Sequence, residues 1–468
     1  MALRESALDT IAAIATAPGE GAIGIVRLSG KEAVKIADKI FQSQNGLPVS
    51  KQKSFTASYG HVVSRDSGNQ ARIVDEAVVL VMLSPKSYTT EDMVEFQIHG
   101  GNVVMQEVLA LAVREGARLA GPGEFTKRAF LNGRIDLLQA EAVLDLIQAK
   151  SEKSRQWASA QLEGSLSKKM VEIKDQLLQI LSGLEASIDF PEDDLAPEDY
   201  SVIEKKLAVL ESQIRELLRG SDMGILAKRG ARVALWGRPN TGKSSLMNRL
   251  VKHNRVIVAP IPGTTRDVVE QEIQIEGFPV RVLDTAGIQD AANPIEKEGV
   301  ERSRKAALGA ELVLFVLDGS RPFDAEDRGL YREIEDKEKI VIFNKSDLSQ
   351  KIKLSDIQNL DPALTVVETS CQTEKGIAEL EEKIVFWMTK GKAGAADESV
   401  ISSVRQKDIL EKICGAIGGA QTACGSRLSP ELVAVDVRLA LDQVGALVGE
   451  VVTDDLLEVL FSQFCIGK

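Results

Sequence analysis

The sequence predicts a multidomain fold: an N-terminal α+β domain, an all-α helical domain, and a Ras-like α/β P-loop domain inserted into the helical one. Three observations carry this. The chain has 468 residues, enough for roughly three domains. A glycine-rich phosphate loop lies near its middle, between an apolar strand and a helix. Helical periodicity stands on both sides of the strand–helix alternation around that loop.

Residues up to about Gly121 mix strands with helices. Alternating apolar positions mark strands at 22–28, 55–63, 76–82 and 94–98, and helical spacing marks 31–41 and 102–115. From about Ile135 to Leu226 the pattern is helical. Ile203, Leu207, Leu210, Ile214 and Leu217 stand four and three apart, a heptad-like seam that reads as a bundle core. Pro191, Pro197 and the acids around them divide this stretch into separate helices. Residues 231–388 alternate strands with helices, and Gly277 turns a hairpin between 268–275 and 280–283. Residues 390–398 are rich in Gly and Ala and read as a linker. From Ile401 to Phe464 the pattern is helical again. The expected domains are therefore 1–130 (α+β), 131–230 with 389–468 (a discontinuous helical domain), and 231–388 (the inserted P-loop domain).

Five guanine-nucleotide motifs lie in order within the inserted domain. Gly237-Arg238-Pro239-Asn240-Thr241-Gly242-Lys243-Ser244 is a P-loop. Gly263-Thr264-Thr265, Asp284-Thr285-Ala286-Gly287, Asn344-Lys345-Ser346-Asp347 and Glu368-Thr369-Ser370 follow. Each residue type answers a chemical need. The glycines let backbone N–H groups close around phosphates, and the helix N-terminus adds positive potential. Lys243 is expected to reach the outer phosphates and the Ser244 hydroxyl to bind Mg²⁺. Thr265 is the candidate second Mg²⁺ ligand. Asp284 would hold Mg²⁺ indirectly, and the Gly287 amide would sense the γ-phosphate. Asp347 would accept two hydrogen bonds from the N–H edge of guanine, which adenine cannot supply. Asn344 and Lys345 would buttress the base, and Ser370 would touch its carbonyl side. A P-loop kinase or ATPase is the alternative. Asn-Lys-x-Asp after the apolar strand 339–343 argues against it.

Composition fits a soluble protein: 44% hydrophobic and 27% charged residues. The net charge of −12 excludes an overall basic nucleic-acid binder, so any RNA contact needs a local basic patch or a partner. Cys371, Cys414, Cys424 and Cys465 show no metal or disulfide spacing, which suggests a reducing cytosol. No apolar run is long enough to span a bilayer. Residues 11–17 faintly suggest a signal segment, but Glu5 and Asp9 replace the basic flank. The chain is thus expected to be cytoplasmic, without membrane insertion.

One motif departs from the Ras pattern. The position after Asp284-Thr285-Ala286-Gly287, where Ras-like proteins use a Gln to orient the attacking water, is Ile288. An apolar side chain cannot orient water, and the P-loop offers no evident arginine finger in cis. Two candidates remain. Asn240 could help bind a monovalent cation beside the phosphates. Glu296 could position water, although a solvated helix acid is its commoner role.

The whole chain resembles the tRNA modification GTPase family called MnmE or TrmE. The likeness rests on the P-loop, on residues 261–267 (I-P-G-T-T-R-D) and on Asp284-Thr285-Ala286-Gly287. It rests more discriminatingly on residues 121–137 (G-P-G-E-F-T-K-R-A-F-L-N-G-R-I-D-L), on 88–101 with its E-F-Q-I-H-G-G, and on the terminal Cys465-Ile466-Gly467-Lys468. The resemblance implies a folate-binding N-terminal domain that also dimerises, making a homodimer. It implies a FAD-dependent partner of the MnmG or GidA type, joined in a heterotetramer. Together these add a carboxymethylaminomethyl or aminomethyl group to wobble uridine of certain tRNAs. The one-carbon unit comes from a 5-formyl- or methylene-tetrahydrofolate. Carried over by position, GTP would contact Gly237, Asn240, Thr241, Gly242, Lys243, Ser244 and Ser245. It would also meet Ala259, Pro260, Ile261, Pro262, Gly263, Thr264 and Thr265, then Asp284, Thr285, Ala286 and Gly287, and Asn344, Lys345, Asp347 and Ser370. Mg²⁺ would sit on Ser244 and Thr265. K⁺ would sit on Asn240, Ala259, Ile261 and Thr264, and would activate hydrolysis as two P-loop domains meet. Glu296 would position water, with Lys243 and Asp284 completing the catalytic set. Arg27, Glu95, Arg134 and Lys468 would contact folate, with the Cys465 thiol close by. Arg134 stands where many relatives have Lys, which keeps the charge but replaces a point with a planar fork.

Other readings stay open on the residues alone. Arg27 and Glu95 could be partners on a sheet surface. His99, beside Gly100-Gly101, could be purely structural. Trp236 could be core packing. The last four residues could be a frayed end. The whole chain could be a binding switch of the ribosome-assembly kind, or a stand-alone folate-dependent aminomethyltransferase with a regulatory GTPase.

Overall fold

The computed structural model describes residues 9–65, 71–189, 200–256, 269–284, 304–391 and 400–468. In chain order the elements begin with β1 (Ile11–Ile14), β2 (Gly21–Ser29), α1 (Ala33–Ile40), β3 (Phe41–Ser43), β4 (Thr56–Arg65), β5 (Ala71–Met82) and β6 (Met93–Gly100). Next come α2 (Asn102–Arg114), β7 (Arg118–Leu119), α3 (Glu124–Leu131), α4 (Leu137–Gln148), α5 (Glu152–Leu162), α6 (Ser165–Asp189), α7 (Tyr200–Arg219) and α8 (Ser221–Arg229). The P-loop region holds β8 (Ala231–Trp236), α9 (Lys243–His253), β9 (Arg255–Val256), β10 (Val269–Ile275), β11 (Phe278–Asp284), β12 (Leu312–Asp318) and α10 (Ala325–Glu333). It continues with β13 (Lys339–Asn344), α11 (Leu354–Gln358), β14 (Thr365–Glu368) and α12 (Ile377–Thr389). The chain closes with α13 (Val404–Gly425), α14 (Pro430–Val448) and α15 (Asp454–Ser462). Contacts group the chain into two compact units. One joins Met1–Leu144, Leu162–Gln179 and Leu441–Lys468; the other joins Asp145–Gln161 and Ile180–Ala440.

The first unit is built on a sheet of order β3-β4-β5-β6-β2-β1-β7. The strands alternate, as a sheet with one covered face requires. Val26, Leu28, Val79, Val81 and Phe96 turn into a core with Ile36 and Ile40 of α1 and Met105 and Val108 of α2. The intervening positions carry Arg27 and Glu95. Residues 11–14, which give no strand signal in the sequence, form β1 and pair with β2 and β7. That strand is too short for alternation to show. Leu457, Leu460, Phe461 and Phe464 pack on Ile135, Leu137 and Ala140, so the end of α15 belongs to this unit's core. Thr453 caps α15 by accepting from the Leu456 N–H.

The second unit holds the P-loop sheet, of order β14-β13-β12-β8-β11-β10-β9. Strands β8, β11, β12, β13 and β14 run parallel. Their central residues are mostly apolar and buried, with two cores packed against the sheet. The hairpin between β10 and β11 turns at Glu276 and Gly277, both at positive φ (47° and 81°), as a two-residue primed turn demands. The expected seam on α7 is real: Ile203, Leu207, Leu210, Ile214 and Leu217 are all buried, and α7 packs against α13.

Candidate functional site

The phosphate loop leaves the buried strand β8 and enters α9 at Lys243, with Gly242 as N-cap at φ +97°. Two of its glycines are required by space as well as by conformation. A Cβ on Gly237 would lie 2.2 Å from the Val316 carbonyl oxygen on β12. A Cβ on Gly242 would lie 2.1 Å from Asn344 Nδ2. That second approach has a purpose: Asn344 Nδ2 donates to the Thr241 carbonyl at 2.8 Å, and Thr369 Oγ1 donates to Asn344 Oδ1 at 3.2 Å. Lys345 Nζ donates to the Asn240 carbonyl at 2.8 Å and pairs with Asp318 at 2.7 Å. The Asn-Lys-x-Asp motif is therefore bolted to the P-loop.

Lys243 is buried, and its Nζ donates to the Gly237 and Arg238 carbonyls at 2.8 and 2.7 Å. Ser244 and Ser245 are exposed in the first turn of α9, where free N–H groups and the helix dipole favour anions. Asp347 accepts from Ser370 Oγ at 2.5 Å. A cavity of about 490 Å³ opens there, lined by Gly242, Ser245, Asn344, Lys345, Asp347 and Cys371. Cys371, which the sequence marks only as a thiol without metal or disulfide spacing, follows Ser370 directly. Its Sγ lies 3.6 Å from Asn344 Oδ1, and burial pushes its thiol pKa up. Asp284 closes β11 opposite Leu235 of β8. Ala259, Pro260, Ile261, Pro262, Gly263, Thr264, Thr265, Thr285, Ala286, Gly287, Ile288, Glu296 and the Asp284 side chain lie outside the described residues. Trp236 packs in the core and donates its indole N–H to the Leu330 carbonyl at 3.0 Å.

A second cluster forms in the first unit. Arg27 and Glu95 face each other across β2 and β6. Arg27 Nε donates to Glu95 Oε1 at 2.8 Å, with only 17% and 12% of the two side chains exposed. Arg27 Nη1 also donates to the Gly467 carbonyl at 3.2 Å, and its guanidinium lies 5.6 Å from the Phe125 ring centre. The chain end is built in rather than frayed. Ile466 bridges Pro122. The Gly123 and Phe125 N–H groups donate to the Cys465 and Lys468 carbonyls at 3.3 and 3.1 Å. These are orphan donors at the start of α3, and the tail satisfies them. Gly467 has φ +94°, and a Cβ there would lie 2.3 Å from the Ile14 carbonyl oxygen. Cys465 is exposed.

Beneath the tail, Arg128 is 4% exposed and pairs with Asp9, Glu91 and Glu124. Burial alone would raise the Glu124 pKa. Arg118, the Gly121 N–H and Arg128 overcome it and hold the carboxyl below its ordinary value. The G-P-G-E-F-T-K-R motif is thus an anchor for α3.

Arg134 does not join the Arg27 cluster. It lies over the Tyr88 ring, 4.8 Å from its centre, and donates to the Tyr88 carbonyl at 3.1 Å. It lines a different groove of about 470 Å³, with Phe55, Met82, Pro85, Tyr88 and Asn132. His99 is exposed and its Nδ1 lies 2.6 Å from Asp75 Oδ1. Among the described residues no group of three or more His, Cys, Asp or Glu side chains could hold a metal ion, and no helix is long and apolar enough to cross a membrane.

Residues 137–465 match the model of the MnmE helical domain, and residues 10–134 match that of the GTP-binding protein TrmE N-terminus. The tRNA modification GTPase MnmE of Alkaliphilus oremlandii is 44% identical over 98% of this chain and 99% of that protein. The protein of the same name from Bacillus subtilis is 44% identical over 98% of this chain and 100% of that protein. Among solved structures, the G domain of the FeoB iron transporter of T. maritima is 28% identical over 34% of this chain and 98% of that one, with a TM-score of 0.27.

Proposed function

This chain belongs to the MnmE family of tRNA modification GTPases, and from that premise we propose a K⁺-activated GTPase that works with tetrahydrofolate and a flavin-dependent partner on wobble uridine. The observation that carries the finer reading is the seating of the last four residues beside Arg27 and Glu95. A tail held by a β-bridge and two helix-start N–H groups has a fixed place, and that place holds a half-buried arginine and an acid. Arg27, Glu95 and Lys468 offer the cation–carboxylate set that a folate, with its glutamate tail and amide edge, requires. Arg134 would grip from its own groove, over Tyr88. Folate supplies the one-carbon unit when bound. The residues around it bind and orient that group, with the exposed Cys465 thiol close at hand.

Hydrolysis follows from the P-loop geometry. Asp347, oriented by Ser370, reads the guanine N–H edge. Asn344 and Lys345 tie the base site to the phosphate loop. Lys243 leaves its carbonyl partners for the outer phosphates, while Ser244 and Thr265 hold Mg²⁺ and Asp284 supports it indirectly. Ile288 cannot orient water, so Glu296 takes that task. Asn240 and the 259–264 loop hold K⁺, which supplies the charge of an absent arginine finger. The division into 1–130, 131–230 with 389–468, and 231–388 separates folate, helical and GTPase tasks. The working form is a cytoplasmic homodimer joined by the flavin-dependent partner in a heterotetramer. The test is wobble-uridine analysis of tRNA from cells lacking this protein, with reconstitution with and without the partner. Loss of the aminomethyl-type groups is expected. Unchanged wobble uridine would overturn the proposal.

A further inference from the structure

The phosphate loop carries a second long cation, and it is bound to a neighbouring helix. Arg238 Nη1 lies 2.7 Å from Asp324 Oδ2, and Nη2 lies 2.5 Å from Glu326 Oε2, with Asp327 at 3.8 Å. Only 17% of the Arg238 side chain is exposed. Asp324 divides its two oxygens between two tasks. Oδ1 caps α10 by accepting from the Glu326 and Asp327 N–H groups, and Oδ2 takes the arginine. The Arg238 main chain is equally engaged: its carbonyl accepts from Lys243 Nζ and Thr241 Oγ1. Two residues on, Lys345 holds the Asn240 carbonyl. Between these anchors stand Pro239, with its fixed φ, and Asn240, held at φ +62°.

We infer that Arg238 is a positioning residue for GTP hydrolysis: its clamp to Asp324 and Glu326 fixes the Pro239–Asn240 turn beside the phosphates. A guanidinium with two carboxylate partners is not a spare arginine finger. Moving it to the phosphates would give up both ion pairs at once, a modest loss for each because Asp324 and Glu326 reach solvent. Its work is to keep the loop from flexing while phosphate is transferred, where small displacements cost large factors in rate. The further effect on K⁺ rests on the proposed role of Asn240.

The test uses the full-length protein with Arg238→Ala, Arg238→Lys, the pair Asp324→Asn/Glu326→Gln, and the combined triple variant. Asn keeps the α10 cap because its amide oxygen accepts the same two N–H groups, so the paired variant removes charge and not the helix. Both Arg238→Ala and the acid pair should lower kcat about tenfold while a fluorescent GDP binds within about twofold. The triple variant should fall no further, because the partners act as one unit. Arg238→Lys should recover part of the rate, replacing a fork by a point charge. The K⁺ concentration for half-maximal rate should rise in each impaired variant. Equal rates of the unaltered protein in Na⁺ and K⁺ would remove the K⁺ reading and leave the kcat test of the clamp standing. An unchanged kcat in Arg238→Ala overturns the clamp. So does a loss in Arg238→Ala that the acid pair fails to reproduce, since the guanidinium would then be acting on the phosphates itself.

Discussion

Arg27 and Glu95 stand directly opposite one another on adjacent antiparallel strands, joined at 2.8 Å, and the same arginine reaches the Gly467 carbonyl. Taken as a pair they are ordinary cross-strand partners. The contact 440 residues away in sequence changes their meaning. A half-buried ion pair that also orders a chain end is being held in shape, and Gly467 is the residue that lets the end approach.

Gly467→Ala should therefore separate the two activities. At φ +94°, with 2.3 Å to the Ile14 carbonyl oxygen, a methyl group has no room. The tail should leave Arg27 and the start of α3 at a cost of about 1–3 kcal/mol. GTP binding and hydrolysis should stay near normal, because the tail's contacts named above are made within the first unit and the P-loop sheet belongs to the second, while tRNA modification is lost. Normal modification by this variant would show that the seated tail has no part in the chemistry.

Much of the P-loop site was legible in the sequence, because a phosphate and a guanine each dictate residue types at fixed spacing. Gly237, Gly242, Lys243, Asn344 and Asp347 could be assigned in that way, and the structure adds why Gly242 must be bare: Asn344 occupies its side-chain space. The apolar stretch of Leu456, Leu457, Leu460, Phe461 and Phe464 marks the chain end as a docking element, but not where its last four residues sit. Their place depends on a bridge to Pro122 and on donors of α3 that no local pattern reveals. Arg134 shows a different limit. A linear match aligns the residue, but the Tyr88 ring and carbonyl decide where the guanidinium goes. Cys371 gets no site role from the sequence because a thiol answers no demand of guanine, although it lines the cavity.

His99 should titrate above its ordinary value of about 6.5. The hydrogen bond to Asp75 is the main cause, followed by that carboxylate's charge, and it outweighs desolvation. A raised folded-state value means the imidazolium's stabilising share is full below the unfolded-state pKa. It is lost as pH rises through the folded one. In Asp75→Asn the imidazole pKa, followed by NMR, should fall back toward about 6.5. No change on removing the carboxylate would break the assignment.

Asp347→Asn should reverse one hydrogen-bond edge. The amide puts a donor where guanine also donates, and Ser370 then faces a neutral partner in place of a carboxylate. Losing charge-assisted bonds of about 2–3 kcal/mol should weaken GTP by roughly 30- to 150-fold. Xanthine nucleotides, whose edge accepts, should gain. Competition binding with both nucleotides decides it, and equal GTP affinity in the variant would remove Asp347 from the guanine site.

Hydrolysis should depend on K⁺ through Asn240. Ile288 leaves no polar side chain at the usual water-orienting position, and Arg238 is committed to Asp324 and Glu326. The P-loop then offers no arginine to neutralise the charge that builds on the transferring phosphoryl group, and a monovalent cation beside Asn240 can do so. Rates should rise on the order of tenfold or more from Na⁺ to K⁺. Asn240→Ala should erase that rise, but Ala at φ +62° also strains the loop. Asn240→Gly separates the causes, since glycine takes positive φ freely and still lacks the amide oxygen. If the oxygen is the ligand, both variants lose K⁺ stimulation. Retention of the K⁺ response in Asn240→Gly would mean that Asn240 serves the turn alone, and that the cation is held by other groups.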